Sequence, residues 1–158
     1  MLLDRQNTLS DMQLFSLAAV PLTVVSANGL DLWGGTSLLP DTMGNTLLAD
    51  VGRSRTVFLL VQVTVAPTSG GAATVSFELI TATNDLLTTG VVSHQLTAAI
   101  PVAQLVAGYQ FKLEITPGLP STGRYLGVRY NVATAQLTGA GAFTASIVAD
   151  KQTNIAVG

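Results

Sequence analysis

Side chains able to do chemistry are sparse in this sequence, and the first to consider is His94, the only histidine. It alternates with Val92 and Leu96 in a predicted strand, so we expect it to share their face. Ser93 and several aspartates could complete a nucleophile–base arrangement, but no nucleophile elbow or other catalytic motif surrounds the imidazole. The pattern favours a structural histidine, partly buried or at an interface, over a catalytic base.

The acidic residues give no stronger indication of an enzyme. Glu78 and Glu114 are the only glutamates, and each stands alone on the outer face of a predicted strand. A glycosidase would need two carboxylates to meet across a cleft, and no motif pairs these two. Cysteine is absent, the stretch DTMGNTLLAD lacks the dense oxygen ligands of a calcium loop, and no glycine-rich stretch has phosphate-loop spacing. We therefore predict no catalytic activity, no metal and no cofactor.

The stretch RYLGVRYNV concentrates the remaining polar chemistry. Alternation places Tyr125 and Arg129 on the polar face of a strand, with Gly127 leaving a gap between them for a neighbouring side chain. Arg124 has the parity of the inward residues, but it stands at the strand's start, where a long side chain can bend out to solvent. Tyrosine and arginine are enriched at protein interfaces.

We therefore predict that Arg124, Tyr125 and Arg129 contact another protein subunit, where Arg129 pairs with a carboxylate. The alternative keeps Tyr125 packed under the preceding PGLPSTG loop and Arg129 in an ordinary surface ion pair.

Charge is scarce throughout the chain. Only 10% of the 158 residues are charged, while 48% are hydrophobic. Soluble domains usually carry about 25% charged residues, so neutral polar residues and alanine must form much of this surface. Neutral hydroxyls and amides lose less than ions do on burial. The composition favours a protein that works against other protein, although a robust secreted β-domain would also have it.

The same composition argues against nucleic acid and membrane as partners. The net charge is −2 without any basic run, whereas binding through phosphates needs a basic patch. The apolar stretch from Leu14 to Val25 is too short to span a bilayer. It also lacks the positive region that precedes the apolar core of a signal peptide, since Asp4 and Asp11 outweigh Arg5. We therefore expect no membrane span and no signal peptide.

Period-2 alternation dominates the chain from residue 56 onward. In YQFKLEIT, for example, Tyr109, Phe111 and Leu113 are predicted to face in, while Lys112 and Glu114 face out. The two runs on either side of PTSGG are interpreted as a hairpin. Seven strands are predicted, at 21–26, 56–65, 74–82, 91–97, 109–116, 124–132 and 143–150.

Short strands between turns that contain glycine and proline indicate an all-β fold, which we predict to be a jelly-roll-like antiparallel β-sandwich. Pro101 stands where a first helical turn tolerates it and Gly108 where a helix ends, which predicts a short helical turn near 101–107. Residues 14–158 should form this single domain, with a long loop at about 34–52 that fits no period.

Residues 1–13 lack clean alternation and mix apolar with charged side chains, so we predict that they form an N-terminal arm. An arm suits a protein whose body docks first, because each added contact then acts at high effective concentration. The alternative is a first sandwich strand paired within its own sheet. The arm residues predicted to contact another protein subunit are Leu2, Leu3, Asp4, Arg5, Gln6 and Asn7.

Four blocks of the sequence are distinctive in their order: LLDRQNTLSDMQ, IPVAQLVAGYQF, GRYLGVRYNV and FTASIVADKQ. Together they resemble the capsid cement (decoration) protein family of tailed bacteriophages, of the kind first described on a short-tailed Bordetella phage. The resemblance runs nearly end to end, although residues 29–52 carry little of it.

The resemblance implies a jelly-roll sandwich, made in the host cytoplasm, on the outer surface of an icosahedral head. There it would staple neighbouring major capsid subunits and have no catalytic activity. The implied partners are the major capsid protein and further copies of the chain, as a dimer or a trimer.

A carbohydrate- or receptor-binding β-sandwich, such as a head fibre or a secreted lectin-like module, is the alternative function. Sugar platforms need exposed aromatic rings, and this chain has one tryptophan and three tyrosines. Trp33, beside the long loop, is the best candidate, although a buried tryptophan is the more ordinary arrangement.

Overall fold

The computed structural model describes residues 8–15, 20–32, 57–115 and 123–148, and within them the chain forms two antiparallel sheets packed face to face. The strands are β1 (Thr8–Leu14), β2 (Leu22–Val25), β3 (Leu30–Asp31), β4 (Val57–Val65), β5 (Thr74–Ala82), β6 (Val92–Leu96), β7 (Ile100–Pro101), β8 (Gln110–Ile115), β9 (Tyr125–Ala133) and β10 (Ala142–Val148). A 3-10 turn at Val102–Gln104 confirms the predicted short helical turn.

The order of the strands is that of a jelly roll. One sheet has the order β1-β10-β4-β8 and the other β2-β9-β5-β6, to which the short strands β3 and β7 are added beside β9 and β5. The long strands pair antiparallel in a nested series, β1 with β10, β2 with β9, β4 with β8 and β5 with β6. This is a double-sheet roll of eight long strands. The predicted all-β sandwich is confirmed.

The predicted hairpin between the runs flanking PTSGG is wrong. Strand β4 lies in the first sheet and β5 in the second, so the segment between them crosses from one sheet to the other. The alternation of apolar and polar residues indicates where strands lie in the sequence, but it does not indicate which strands pair. Strand β4 is buried on both faces, because it stands between β10 and β8 and Leu60 on its outer face is only 3% exposed.

The core lies between the inner faces of the two sheets. It contains alternate residues of β4 and β5, and aromatic rings pack edge to face within it. The ring of Phe15 lies 5.0 Å from that of Tyr130 and 4.7 Å from that of Phe143. Burial raises the pKa of the Tyr130 hydroxyl, which stays protonated and donates a 2.8 Å hydrogen bond to Ser10 Oγ. This bond ties the first strand to the centre of the sandwich.

Strand β8 follows the predicted alternation with one correction. Lys112 and Glu114 are exposed, while Phe111 and Leu113 are only half-buried against the core because β8 is at the edge of its sheet. Tyr109, predicted to begin the inward row, precedes the strand and is 37% exposed.

The structure divides the predicted N-terminal arm. Thr8–Leu14 is an edge strand paired with β10, so residues 8–13 belong to the sandwich, and here the alternative interpretation holds. Two register shifts interrupt this pairing, and Met12 has a φ of 45°. These irregularities explain why the segment lacked clean alternation.

Residues 1–7 of the predicted arm, Trp33, the loop at 34–52 and most of PGLPSTG lie outside the described residues. Among the helices of the described part, none is long and apolar enough to cross a membrane.

Candidate interaction surface

Strands β5 and β9 lie side by side and bring the predicted polar residues onto the outer face of the second sheet. Their register places Glu78 opposite Arg129, Ile80 opposite Gly127 and Ala82 opposite Tyr125. Residues that face one another across an antiparallel pair share one side of the sheet. The outward-facing residues of β9 therefore lie directly beside a row of outward-facing residues of β5.

Arg129 is held by Glu78 of the same chain. Its Nε donates to Glu78 Oε2 at 2.6 Å, and its Nη2 donates to Oε1 at 2.8 Å. Asn131 Nδ2 adds a 3.2 Å hydrogen bond to Oε2. The Glu78 side chain is 7% exposed and that of Arg129 is 30% exposed. The bidentate geometry fixes the planar guanidinium against the sheet.

The environment keeps Glu78 ionised. Its hydrogen bonds from Arg129 lower the pKa of the carboxyl to about 2 from an ordinary 4.5, burial opposes this shift, and hydrogen bonds from Ser93 and Asn131 support it. A buried carboxylate is tolerated only when its charge is paired and its oxygens are hydrogen-bonded. Glu78 meets both conditions within the chain.

A second ion pair lies at the start of β9. Arg124 donates to Asp31 from Nε at 3.0 Å and from Nη2 at 2.8 Å. The short strand β3 supplies this carboxylate, because its pairing with β9 places Asp31 opposite Tyr125. The Arg124 guanidinium also lies 5.1 Å from the centre of the Tyr125 ring, within the range of a cation–π contact.

The gap predicted beside Gly127 is filled by Leu87. This side chain, from the loop between β5 and β6, is 1% exposed and forms a small apolar cluster with Ile80 and Ala82, against which Tyr125 packs. A Cβ on Gly127 would collide with Leu87 Cδ1. We call Leu87 and this cluster the outer plug.

These contacts correct one part of the sequence prediction. The carboxylate that pairs with Arg129 belongs to its own chain, and Tyr125 is half-buried against the outer plug. Glu78 was not identified as the partner because it stands 51 residues away in the sequence. That Arg124, Tyr125 and Arg129 contact another subunit stays a prediction.

Two exposed leucines accompany this face and were not singled out in the sequence. Leu96 is 57% exposed and lies opposite Glu78 on β6, while Leu86 is 70% exposed beside Leu87. The sequence did contain an indication of this exposed loop, because NDLLTTG places two adjacent leucines between turn residues. We call Leu86, Leu96, Tyr125 and Arg129 the outer-sheet surface.

His94 is half-buried and hydrogen-bonded within the second sheet. Its Nε2 lies 2.8 Å from Thr81 Oγ1, and burial lowers the pKa of the imidazole below its ordinary 6.5. A register shift in β6 places Leu96 opposite Glu78 on the outer face and Val92 opposite Thr81. The expectation that His94 shares a face with Leu96 is therefore wrong.

The two glutamates do not lie together on one sheet. Glu78 and Glu114 lie in different sheets. Within the described ranges, no group of three or more His, Asp or Glu residues could hold a metal ion.

The chain is similar to a known protein family. The model of the Bbp16 family, a Bordetella phage protein family, matches residues 15–147 of the chain. No curated protein matches.

Proposed function

The chain belongs to the Bbp16 family of Bordetella phage proteins, and from this premise we propose that it is a capsid cement protein. In this role it binds the outer surface of the phage head and joins neighbouring major capsid subunits. The outer-sheet surface is the candidate contact with the capsid.

The main observation behind the proposal is that the arginines at that surface are paired with carboxylates of the same chain. Arg129 makes two hydrogen bonds to Glu78 of the same chain, and Arg124, next to Tyr125, makes two to Asp31. Leu96, opposite Glu78 on β6, is 57% exposed. A partner that covers this face need not supply a counter-charge, and its main gain is apolar area removed from water. Such a face suits attachment to many near-equivalent sites.

Co-sedimentation with phage heads that lack the protein tests the proposal. We expect the wild-type chain to bind the heads, and we expect Leu96→Gln to weaken binding by about tenfold, the loss typical of an apolar anchor. Met12→Gln is the matched control, because Met12 is similarly exposed, at 56%, on the edge strand of the other sheet. It should bind like the wild type.

Failure of the wild-type chain to sediment with the heads would overturn the cement role. Binding by Leu96→Gln at wild-type affinity would instead remove the outer-sheet surface as the contact. Thermal melts of both variants check that neither substitution has damaged the sandwich.

A further inference from the structure

The bend between β2 and β3 holds the first strand against the edge of the second sheet. Gln13 of β1 donates from Nε2 to Val25 C=O at 2.7 Å, and its Oε1 accepts from the Ala27 amide at 2.8 Å. From the bend, the Asn28 amide donates to Leu9 C=O at 2.9 Å. Strand β1 pairs with β10 of the other sheet, so these bonds join the edges of the two sheets.

Asn28 and Gly29 lie in an open part of this bend. Asn28 is the only asparagine in the chain that is followed by glycine, and glycine has no Cβ to hinder the approach of its nitrogen to the preceding side chain. Asn28 is exposed, and both residues stand in irregular chain between two strands. The Gly29 amide donates no hydrogen bond to the described residues, so no ladder holds this nitrogen in place.

The two other asparagines that the structure describes are held more firmly. Asn84 Oδ1 accepts from the amides of Thr88 and Thr89 at 2.9 Å each, and Asn84 Nδ2 donates to the Thr88 hydroxyl at 2.8 Å. Asn131 lies inside β9, paired on both sides with β2 and β5, and the residue after it is the buried Val132. An amide within a ladder cannot turn toward a side chain without breaking the ladder.

We propose that Asn28 is a site of spontaneous deamidation in the folded chain and that its conversion loosens β1. The Gly29 nitrogen, after a base removes its proton, attacks Asn28 Cγ and forms a C–N bond. The side-chain nitrogen takes up a proton and leaves as ammonia, and a five-membered succinimide ring remains. Water then adds to one ring carbonyl, and the ring C–N bond at that carbonyl breaks. Breakage at the side-chain carbonyl gives aspartate, and breakage at the main-chain carbonyl gives isoaspartate.

Both products remove a bond that holds β1. Asn28 Nδ2 donates a 3.3 Å hydrogen bond to Thr8 C=O, whereas a carboxylate has no donor and directs negative charge at that oxygen. Isoaspartate also lengthens the main chain by one carbon before Gly29. There is little room for it, because even a Cβ on Gly29 would lie 3.3 Å from Asp85 C=O and 3.4 Å from Tyr125 Cβ. The bend must therefore move, which disturbs the second bond of Asn28 to β1.

Peptide mass spectrometry of the full chain, incubated in its folded state without phage heads, tests the conversion. The reaction needs only water and a base, so it goes beyond the cement role and holds or fails independently of it. We expect Asn28 to become aspartate and isoaspartate, faster as the pH is raised, while Asn84 and Asn131 keep their amides. Asn28→Gln is the matched control, because its longer side chain would have to close a six-membered ring and should stay unconverted.

A parallel incubation in urea gives the rate of conversion in the unfolded chain. If Asn28 converts in urea but stays intact in the folded chain, the fold protects the bend and the proposal is overturned. Conversion of all three described asparagines at similar rates in the folded chain would also overturn it, because the bend would then confer no selectivity.

Hydrogen exchange of the β1 amides tests the loosening. The incubated wild type and fresh Asn28→Asp should exchange these amides about fivefold faster or more than the fresh wild type, the factor expected for the loss of one hydrogen bond. The amides of β4 should be unchanged, and incubated Asn28→Gln should match fresh Asn28→Gln. Full conversion of Asn28 with unchanged exchange in β1 would overturn the proposed loosening.

Discussion

At the residue scale, the ion pair between Arg129 and Glu78 links β9 to β5 on the outer face of the second sheet. Removing the carboxylate charge leaves a half-buried guanidinium without its counter-charge. Hydrogen bonds to charged groups contribute about 1.5–3 kcal/mol, so Glu78→Gln should lower the free energy of unfolding by about 1–3 kcal/mol in a urea melt at pH 7. Asp85→Asn, at an exposed position, should change it by less than about 0.5 kcal/mol.

This contribution should depend on pH with a definite sign. The pKa of Glu78 is lowered from 4.5 to about 2 in the folded chain, so the ionised form stabilises the fold above pH 4.5. That stability is lost as the pH falls from 4.5 toward 2. The difference between the wild type and Glu78→Gln should therefore narrow between urea melts at pH 7 and at pH 3. A difference that stays constant would show that Glu78 is not the ionised partner of Arg129.

The same pair shows how far the site could be predicted from sequence. Alternation correctly assigned Tyr125 and Arg129 to one face and placed a gap at Gly127, because both depend only on local backbone geometry. The partner of Arg129 depends on which strand lies beside β9 and in what register. No periodicity within a strand contains that information, so a carboxylate of another subunit was expected where Glu78 of the same chain stands.

At the element scale, the loop between β5 and β6 is fastened to its own sheet by the outer plug. Leu87→Ala should remove a side chain that is 1% exposed and lower the free energy of unfolding by about 2–5 kcal/mol. Gly127→Ala should cost about 1–3 kcal/mol, because its methyl group collides with Leu87.

A double-mutant cycle measured by urea melts tests whether Leu87→Ala and Gly127→Ala act on the same contact or independently. In the variant that carries both changes, the methyl group introduced by Gly127→Ala occupies space that the Leu87 side chain has vacated. We expect the combined loss to be smaller than the sum of the single losses by about 1 kcal/mol or more. Simple additivity would mean that Leu87 and Gly127 do not share this space.

Elements were easier to predict than their connections. All seven predicted strands are present, because alternation and turn residues mark them directly. The strands β3 and β7 were missed because two residues are too few to show a period. Strand β1 was only the alternative to an N-terminal arm, because bulges break its alternation. The supposed hairpin failed because the adjacent runs belong to different sheets.

At the scale of the whole molecule, the first strand is part of the body. Leu9 is 1% exposed in the core, and Ser10 accepts the hydrogen bond of the buried Tyr130 hydroxyl. Deleting residues 1–13 should therefore abolish or strongly weaken cooperative unfolding in a thermal melt. Deleting residues 1–7 keeps β1 and should leave the melting temperature within a few degrees of the wild type.

The shorter deletion also tests the part of the arm prediction that remains. If residues 1–7 contact the capsid, their removal should weaken co-sedimentation with heads while the fold persists. Unchanged binding would show that they make no such contact. A chain lacking residues 1–13 that still melts cooperatively at the wild-type temperature would contradict the assignment of β1 to the sandwich.

The nesting of strands also sets the order in which the molecule can be completed during synthesis. Strand β1 pairs with β10, and the Met12 amide donates to a threonine hydroxyl 132 residues further along the chain. In a growing polypeptide, β1 therefore leaves the ribosome before its pairing partner β10 has been synthesised. Contacts of such long sequence separation form slowly, so closure of the first sheet must await the synthesis of β10. Until then the unpaired edge of β1 is a site at which neighbouring chains can associate.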